Sequence, residues 1–232
     1  MAEEEPIRLN KFIAQRLNVG RRAADDLIAA GKVRVNGEVP KLGARVFKGD
    51  EVISDGKRLE FTDAPDFLYI LFNKPTGYIC SRRQQGEVQT IYSVLPEAYQ
   101  HLKPVGRLDK NSSGLLLLTN DGDLAHSMMH PSFVKIKKYE VEIDKPLEPL
   151  HRQMINDYGI TLPDGPSKLH LERLHDGDDT AWTVTMHEGR NRQIRRTFAA
   201  LGYEVMHLHR TQFGPFSIHQ LEGNRFLKVP KP

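Results

Sequence analysis

Leu9, Phe12, Ile13 and Leu17 recur at helical spacing, and Ala24, Leu27 and Ile28 form a second short apolar face that ends at Gly31. Past Gly31 the period changes. Val33 and Val35 alternate with Lys32 and Arg34, Asn36-Gly37 reads as a two-residue hairpin turn, and the apolar pair Val52-Ile53 follows a turn at Lys48-Gly49-Asp50. Thr62-Asp63-Ala64-Pro65-Asp66 breaks all periodicity and reads as a linker. Beyond it strands outnumber helices. Phe67 to Phe72 is apolar throughout and too short for a helix, and Leu115 to Thr119 is a second buried strand closed by Asn120-Asp121-Gly122. Asp123 is then placed to cap a helix carrying Leu124, Met128 and Met129. Tyr139, Val141 and Ile143 alternate with Lys138, Glu140 and Glu142, and Trp182, Val184 and Met186 alternate likewise. Asn191 is placed to cap a helix with Ile194, Phe198 and Leu201 on its apolar face, and Val205, His207 and His209 alternate with Met206 and Leu208 after it. The pattern predicts an α+β chain: a small domain at 6–61, a linker at 62–66, and a larger domain at 67–232 with a mixed, mostly antiparallel sheet flanked by helices.

Composition narrows the classes. The 232 residues are 39% hydrophobic and 27% charged, and the longest aliphatic run, Leu115 to Leu118, is far below the ~20 residues that a bilayer helix needs. The acidic start, Met1-Ala2-Glu3-Glu4-Glu5, lacks the basic character of an export signal, and the single cysteine, Cys80, allows no internal disulfide. Both suit a cytoplasmic protein. The formal net charge of +3 conceals a local excess, since Pro6 to Thr62 holds twelve bases against seven acids and Arg190, Arg192, Arg195 and Arg196 cluster later. Fields of this kind attract polyanions. Arg21 and Arg22 open a helix, where the positive end of the dipole disfavours them unless an outside anion lands on the same amides.

Several chemistries are absent: no glycine-rich dinucleotide fingerprint, no phosphate-cradling loop and no G-x-S-x-G elbow. His126 and His130 have the spacing of two metal ligands but no intervening glutamate and no third ligand, so no metal site is predicted. What remains is Gly106-Arg107-Leu108-Asp109-Lys110 at the mouth of the Leu115 strand. Two flanking cations favour the charged form of the Asp109 carboxylate, and partial burial leaves it poorly solvated, which suits a nucleophile. The same residues also suit a turn aspartate that accepts from backbone amides.

Gly106-Arg107-Leu108-Asp109 followed by Ser113-Gly114-Leu115-Leu116-Leu117-Leu118-Thr119-Asn120-Asp121-Gly122 resembles the catalytic motif of RsuA-type ribosomal RNA pseudouridine synthases. Three more segments agree in order: Asn73-Lys74-Pro75-Thr76-Gly77, Lys138-Tyr139, and Glu188-Gly189-Arg190-Asn191-Arg192-Gln193-Ile194-Arg195-Arg196. Ile7 to Glu60 resembles the alpha-L RNA-binding module found ahead of this catalytic domain. Gly20 stands where a serine cap is frequent, and Ser112 where threonine is common.

The resemblance implies a cofactor-independent isomerase acting on uridine in ribosomal RNA, monomeric and cytoplasmic, possessing no membrane attachment. Asp109 would be the essential carboxylate, attacking C1′ or helping to remove the 2′ proton. Tyr139 would stack on the target base and take part in proton transfer at C5, and Arg195 would pair with Asp109. Asn73, Lys74, Arg107 and Arg192 would bind substrate. Arg8, Lys11, Arg21, Arg22, Lys32, Arg34 and Lys41 are the candidates for phosphate contacts in the small domain. Lys41-Leu42-Gly43 with the long C-terminal motif leans toward large-subunit ribosomal RNA. Three other classes fit less well: an assembly factor needs no carboxylate beside Arg107, a metal-dependent nuclease needs clustered acids, and a glycoside hydrolase normally uses two opposed carboxylates.

Overall fold

The first two apolar faces become α1 (Leu9–Arg16) and α2 (Arg21–Ala29), which bury Leu9, Phe12 and Ile13 against Ala24 and Ile28. Asn10 fixes their contact by donating to Asp25 at 3.0 Å. Gly20 precedes α2 in an extended conformation and supplies no side-chain cap. The computed structural model describes residues 5–17, 19–61, 66–129 and 136–232. Two compact units divide between Asp66 and Phe67; of the expected linker, 62–65 lie outside the described residues, as does His130.

In the small unit, Asn36 and Gly37 take the positive φ angles of a tight turn, 51° and 84°, but only a single bridge, Val35 to Glu38, follows it. β1 (Val33–Val35) pairs instead with β2 (Val52–Ser54), which pairs with β3 (Lys57–Leu59). Pro40 offers no N–H to extend a local ladder. The Asn36 side chain meanwhile donates to Asp50 at 2.9 Å and accepts from the Glu51 amide at 2.8 Å, drawing the later strand alongside. The expected two-residue turn at 36–37 thus closes on the Val35–Glu38 bridge, but the sheet is extended by a longer-range pairing and not by the segment that follows it.

The larger unit is built on β4 (Tyr69–Lys74), β5 (Ser113–Thr119), β6 (Lys137–Ile143), β7 (His170–Arg173), β8 (Ala181–Met186), β9 (Val205–Phe213) and β10 (Phe226–Lys228), ordered β7-β8-β6-β9-β5-β4-β10. Two short strands, Lys103–Pro104 and Phe216–Ser217, pair off this path with β5 and β9 respectively. Neighbours are antiparallel except β9 and β5, which run parallel, so the sheet is mixed and mostly antiparallel. β5 is buried at every position, as its unbroken aliphatic run demands. In β9 a register shift between Val205 and His207 moves the alternation by one residue. Val205, Leu208 and Arg210 consequently face inward and His207 outward, unlike the simple alternation of the sequence.

Among the helices that flank the sheet are α3 (Gly122–Met129) and α4 (Gln193–Ala199). Their caps differ from the expected ones. Asp121, not Asp123, accepts from the amides of Asp123 and Leu124 at 3.1 and 3.0 Å. α4 starts after Arg192, whose φ of 47° is left-handed, and Asn191 makes no cap; the Gln193 side chain accepts from the Arg190 amide at 3.1 Å instead.

Asp121 also accepts from the Tyr69 hydroxyl at 2.9 Å and is almost wholly buried, tying β4 to α3. Burial alone would raise its pKa, but the Leu124 amide, the Tyr69 hydroxyl and the Lys231 charge together lower it. A carboxylate whose folded pKa lies below the unfolded one adds stability above the unfolded value, and that stability is lost as pH falls through the folded value. Asp121→Asn is therefore expected to cost about 1–3 kcal/mol at pH 7, with the gap to the parent chain narrowing below about pH 4. Urea midpoints measured across pH check this.

Candidate active site

The loop 106–112 enters β5 and is held from three directions. Lys74, the last residue of β4, is completely buried, and its ammonium donates to the carbonyls of Pro75 (3.0 Å), Asp109 (3.1 Å) and Ser112 (2.7 Å). The Gly77 amide donates to the Lys110 carbonyl at 2.8 Å. Cys80 receives the Leu108 amide at 3.4 Å and faces the Leu108 carbonyl at 3.5 Å, while the Gly106 amide points at the Met129 sulfur at 3.0 Å. Gly114 has a φ of 103°, and a side chain there would press on the Arg210 backbone at 2.3 Å, so only glycine lets β5 and β9 approach this closely.

The loop presents Asp109 to a cavity of about 520 Å³ whose wall also includes Arg107, Tyr139, Arg192 and Arg210. One third of the Asp109 side chain is exposed, and its Oδ2 lies 3.6 Å from Arg192 Nη1. Arg192 reaches it from the left-handed residue that precedes α4, a conformation costing on the order of 1–3 kcal/mol that persists at functional sites. Tyr139 is 8% exposed and projects from β6 beside the cavity, directly opposite Arg210 of β9.

The ion pair expected between Arg195 and Asp109 is made by Arg192 instead. Arg195 is engaged by main-chain carbonyls, donating to Asn111 at 2.8 Å and to Val205, and so braces the loop just beyond Asp109. Asp109 still acts on it electrostatically: burial first, then Arg192, lower the Arg195 pKa, and Asp109 opposes both. The rest of the cluster is neutralised elsewhere. Arg190 and Arg196 both bind Asp164, at 3.0 and 2.7 Å, and the hydrogen bond from Arg196 holds the Asp164 carboxyl below the usual range.

Asn73 and Lys74, expected to bind substrate, do not line the cavity. Lys74 is sealed under the loop and positions it, and Asn73 lies on the opposite side of the strand, its amide donating to the Arg225 carbonyl at 3.0 Å. Arg107 and Arg192 do line it. In the small unit Arg8, Arg21, Arg22, Lys32, Arg34 and Lys41 are exposed and Lys11 half-buried; Lys32 pairs with Asp55 at 3.6 Å and Arg34 donates to the Gly37 carbonyl at 3.0 Å.

Arg210 escaped the sequence reading, where it looks like one more base in a strand. Its signal is a cation two residues after inward Leu208, on the face that the register shift in β9 turns inward. Among the described residues no three His, Cys, Asp or Glu side chains converge as a metal site requires, and no helix is long and apolar enough to cross a membrane.

Lys74→Met is expected to leave three buried carbonyls without their donor and to lower stability by about 3 kcal/mol. Denaturant unfolding, with faster amide exchange confined to 106–112, checks it.

A family model described as RNA pseudouridylate synthase matches residues 68–200, and one for the S4 domain matches 7–52. The chain is 36% identical over 219 residues to a ribosomal large subunit pseudouridine synthase B of Bacillus subtilis, covering 92% of this chain and 88% of that one. It is 34% identical to a dual-specificity RNA pseudouridine synthase of Salmonella typhi, covering 91% and 72%. Others are longer: the chain spans 44% and 49% of the relatives from Xanthomonas campestris and Xylella fastidiosa. A crystal structure titled pseudouridylate synthase superposes with a TM-score of 0.66 at 30% identity, covering 97% of this chain and 96% of that one. With its larger unit matched across most of the sheet and an S4 domain ahead of it, the chain belongs to the RNA pseudouridylate synthase family, enzymes that isomerise uridine to pseudouridine.

Proposed function

We propose that the protein converts a specific uridine of ribosomal RNA to pseudouridine, using Asp109 as its essential carboxylate and no cofactor. The observation that carries this reading is the shared cavity: an acid clamped at its backbone and paired with Arg192, facing the same space as the ring of Tyr139. In this reading 6–61 binds RNA and 67–232 carries catalysis, which the division of the chain between Asp66 and Phe67 supports. The names of the relatives favour large-subunit RNA as the substrate, and the protein acts as a cytoplasmic monomer.

The reaction is an isomerisation. The N1–C1′ bond breaks, the uracil turns over, C5 bonds to C1′, C5 loses its proton and N1 ends protonated, so atoms and charge balance. Asp109 attacks C1′ or helps remove the 2′ proton; both routes need a carboxylate within reach of the ribose, and Arg192 Nη1, 3.6 Å from Oδ2, helps to orient it. Arg195 keeps the loop in place through Asn111. Tyr139 offers a ring for the extruded base to stack on and a hydroxyl for proton transfer at C5. Extrusion costs a few kcal/mol of unstacking, least at loops and bulges. Phosphate contacts from Arg8, Lys11, Arg21, Arg22, Lys32, Arg34 and Lys41 offset part of that.

Chemical mapping of ribosomal RNA from cells with and without the gene is expected to show one pseudouridine lost on deletion. Asp109→Asn is expected to bind the mapped RNA as the parent does and to lose turnover at least about 10³-fold; turnover within tenfold of the parent would remove the aspartate from its role. Arg21→Ala/Arg22→Ala is expected to weaken binding to all RNAs alike and to reduce the slope of affinity against salt by about 2. Filter binding across a salt series reads both.

A further inference from the structure

Across the sheet one row of register partners runs Val184, Tyr139, Arg210, Gly114, Lys74. Arg210 therefore stands immediately beside the tyrosine proposed to stack on the base. It is 2% exposed yet lines the cavity. Its Nε donates to the Leu115 carbonyl at 2.7 Å, and its guanidinium lies 4.7 Å from the centre of the Phe213 ring. Nη2 is buried and has no hydrogen-bond partner, and no carboxylate lies within ion-pairing distance among the described residues. The nearby ammonium groups are already engaged, Lys74 by three carbonyls and Lys137 by the Glu188 carbonyl at 3.0 Å. A buried cation with an open donor and no acid is destabilising to the fold, and an apolar residue of similar volume would pack there at less cost. The arrangement makes sense when an acceptor arrives with the substrate.

The geometry points to Arg210 as the residue that holds the target base, its Nη2 donating to a carbonyl oxygen of the extruded uracil both before and after the base turns. This rests on the synthase reading. Uracil has O2 and O4 on either side of N3–H, and rotation by half a turn about the N3–C6 axis exchanges N1 with C5 and O2 with O4. A fixed donor set to one carbonyl of the substrate therefore meets the other carbonyl of the product at the same place. A guanidinium offers only donors, so when set to O4 of the substrate it also rejects cytosine, which presents an amino group there.

The test uses the full chain and oligoribonucleotides of the mapped sequence with uridine, 2-thiouridine or 4-thiouridine at the modified position, because sulfur is the weaker acceptor. With the parent enzyme, at least one thio substitution is expected to lower kcat/KM about tenfold. In Arg210→Met the uridine rate falls and the ratio between uridine and the thio substrates collapses toward unity. Arg210→Lys, which keeps a donor, retains part of the ratio and covers the case of a methionine variant that does not fold. Because the ratio is internal to each preparation, a partly misfolded sample does not distort it. A ratio unchanged in these variants, or a parent enzyme indifferent to both sulfurs, overturns the assignment of Arg210 and leaves the synthase reading standing. A parent chain that forms no pseudouridine in any of these RNAs overturns both.

Discussion

The buried ammonium of Lys74 is what the site is built around. A charge taken wholly out of water must be answered by acceptors on every side, and here the answer is three main-chain carbonyls, two of them belonging to the loop that carries Asp109. Their arrangement converts a solvation requirement into a positional one. The loop takes the path that wraps the ammonium, and the Asp109 side chain is thereby aimed into the cavity. Cys80 at Leu108, Gly77 at Lys110 and Arg195 at Asn111 close the same loop from other directions, so that nearly every residue between 108 and 112 has its backbone tied to another element. Such over-determination lets a partly desolvated acid stay in one orientation.

The arginines after β8 divide by partner. Asp164 draws Arg190 and Arg196 together and fixes the start of α4 from outside the cavity. That leaves Arg192 and Arg195 for the Asp109 side, one facing the carboxylate and the other bracing the loop. The left-handed backbone at Arg192 is strained for a residue with a side chain, and the helix it begins is held by Gln193 through Arg190 and Ser167. Local cost at the site is met by packing around it, as Ile194 and Phe198 sit in the core with Val141 and Trp182.

Much of this was legible from the amino acids. The aliphatic run at 115–118 could only be an enclosed strand, the alternation about Tyr139 and Trp182 showed one buried face each, and four ordered motifs carried the family. What periodicity could not supply were interactions between residues far apart in the chain. Asn36-Gly37 turned as written, but the Asn36 side chain recruited the strand at 52–54 rather than the segment that follows. Capping went to Asp121 because Tyr69 held it in place, a partner 52 residues away. A bulge in β9 reversed which residues face inward and so brought Arg210 to the cavity. Lys74 was expected to bind substrate, and only the fold shows that the loop wraps over it.

A structure of the Asp109→Asn chain bound to its mapped RNA would show whether the target ribose reaches residue 109. The modified nucleotide is expected out of its stack, with C1′ within about 3.5 Å of the residue 109 side chain, the base against the Tyr139 ring and a carbonyl oxygen at Arg210. A nucleotide that stays stacked in the RNA, or one seated away from this cavity while the RNA is fully bound, would contradict that expectation.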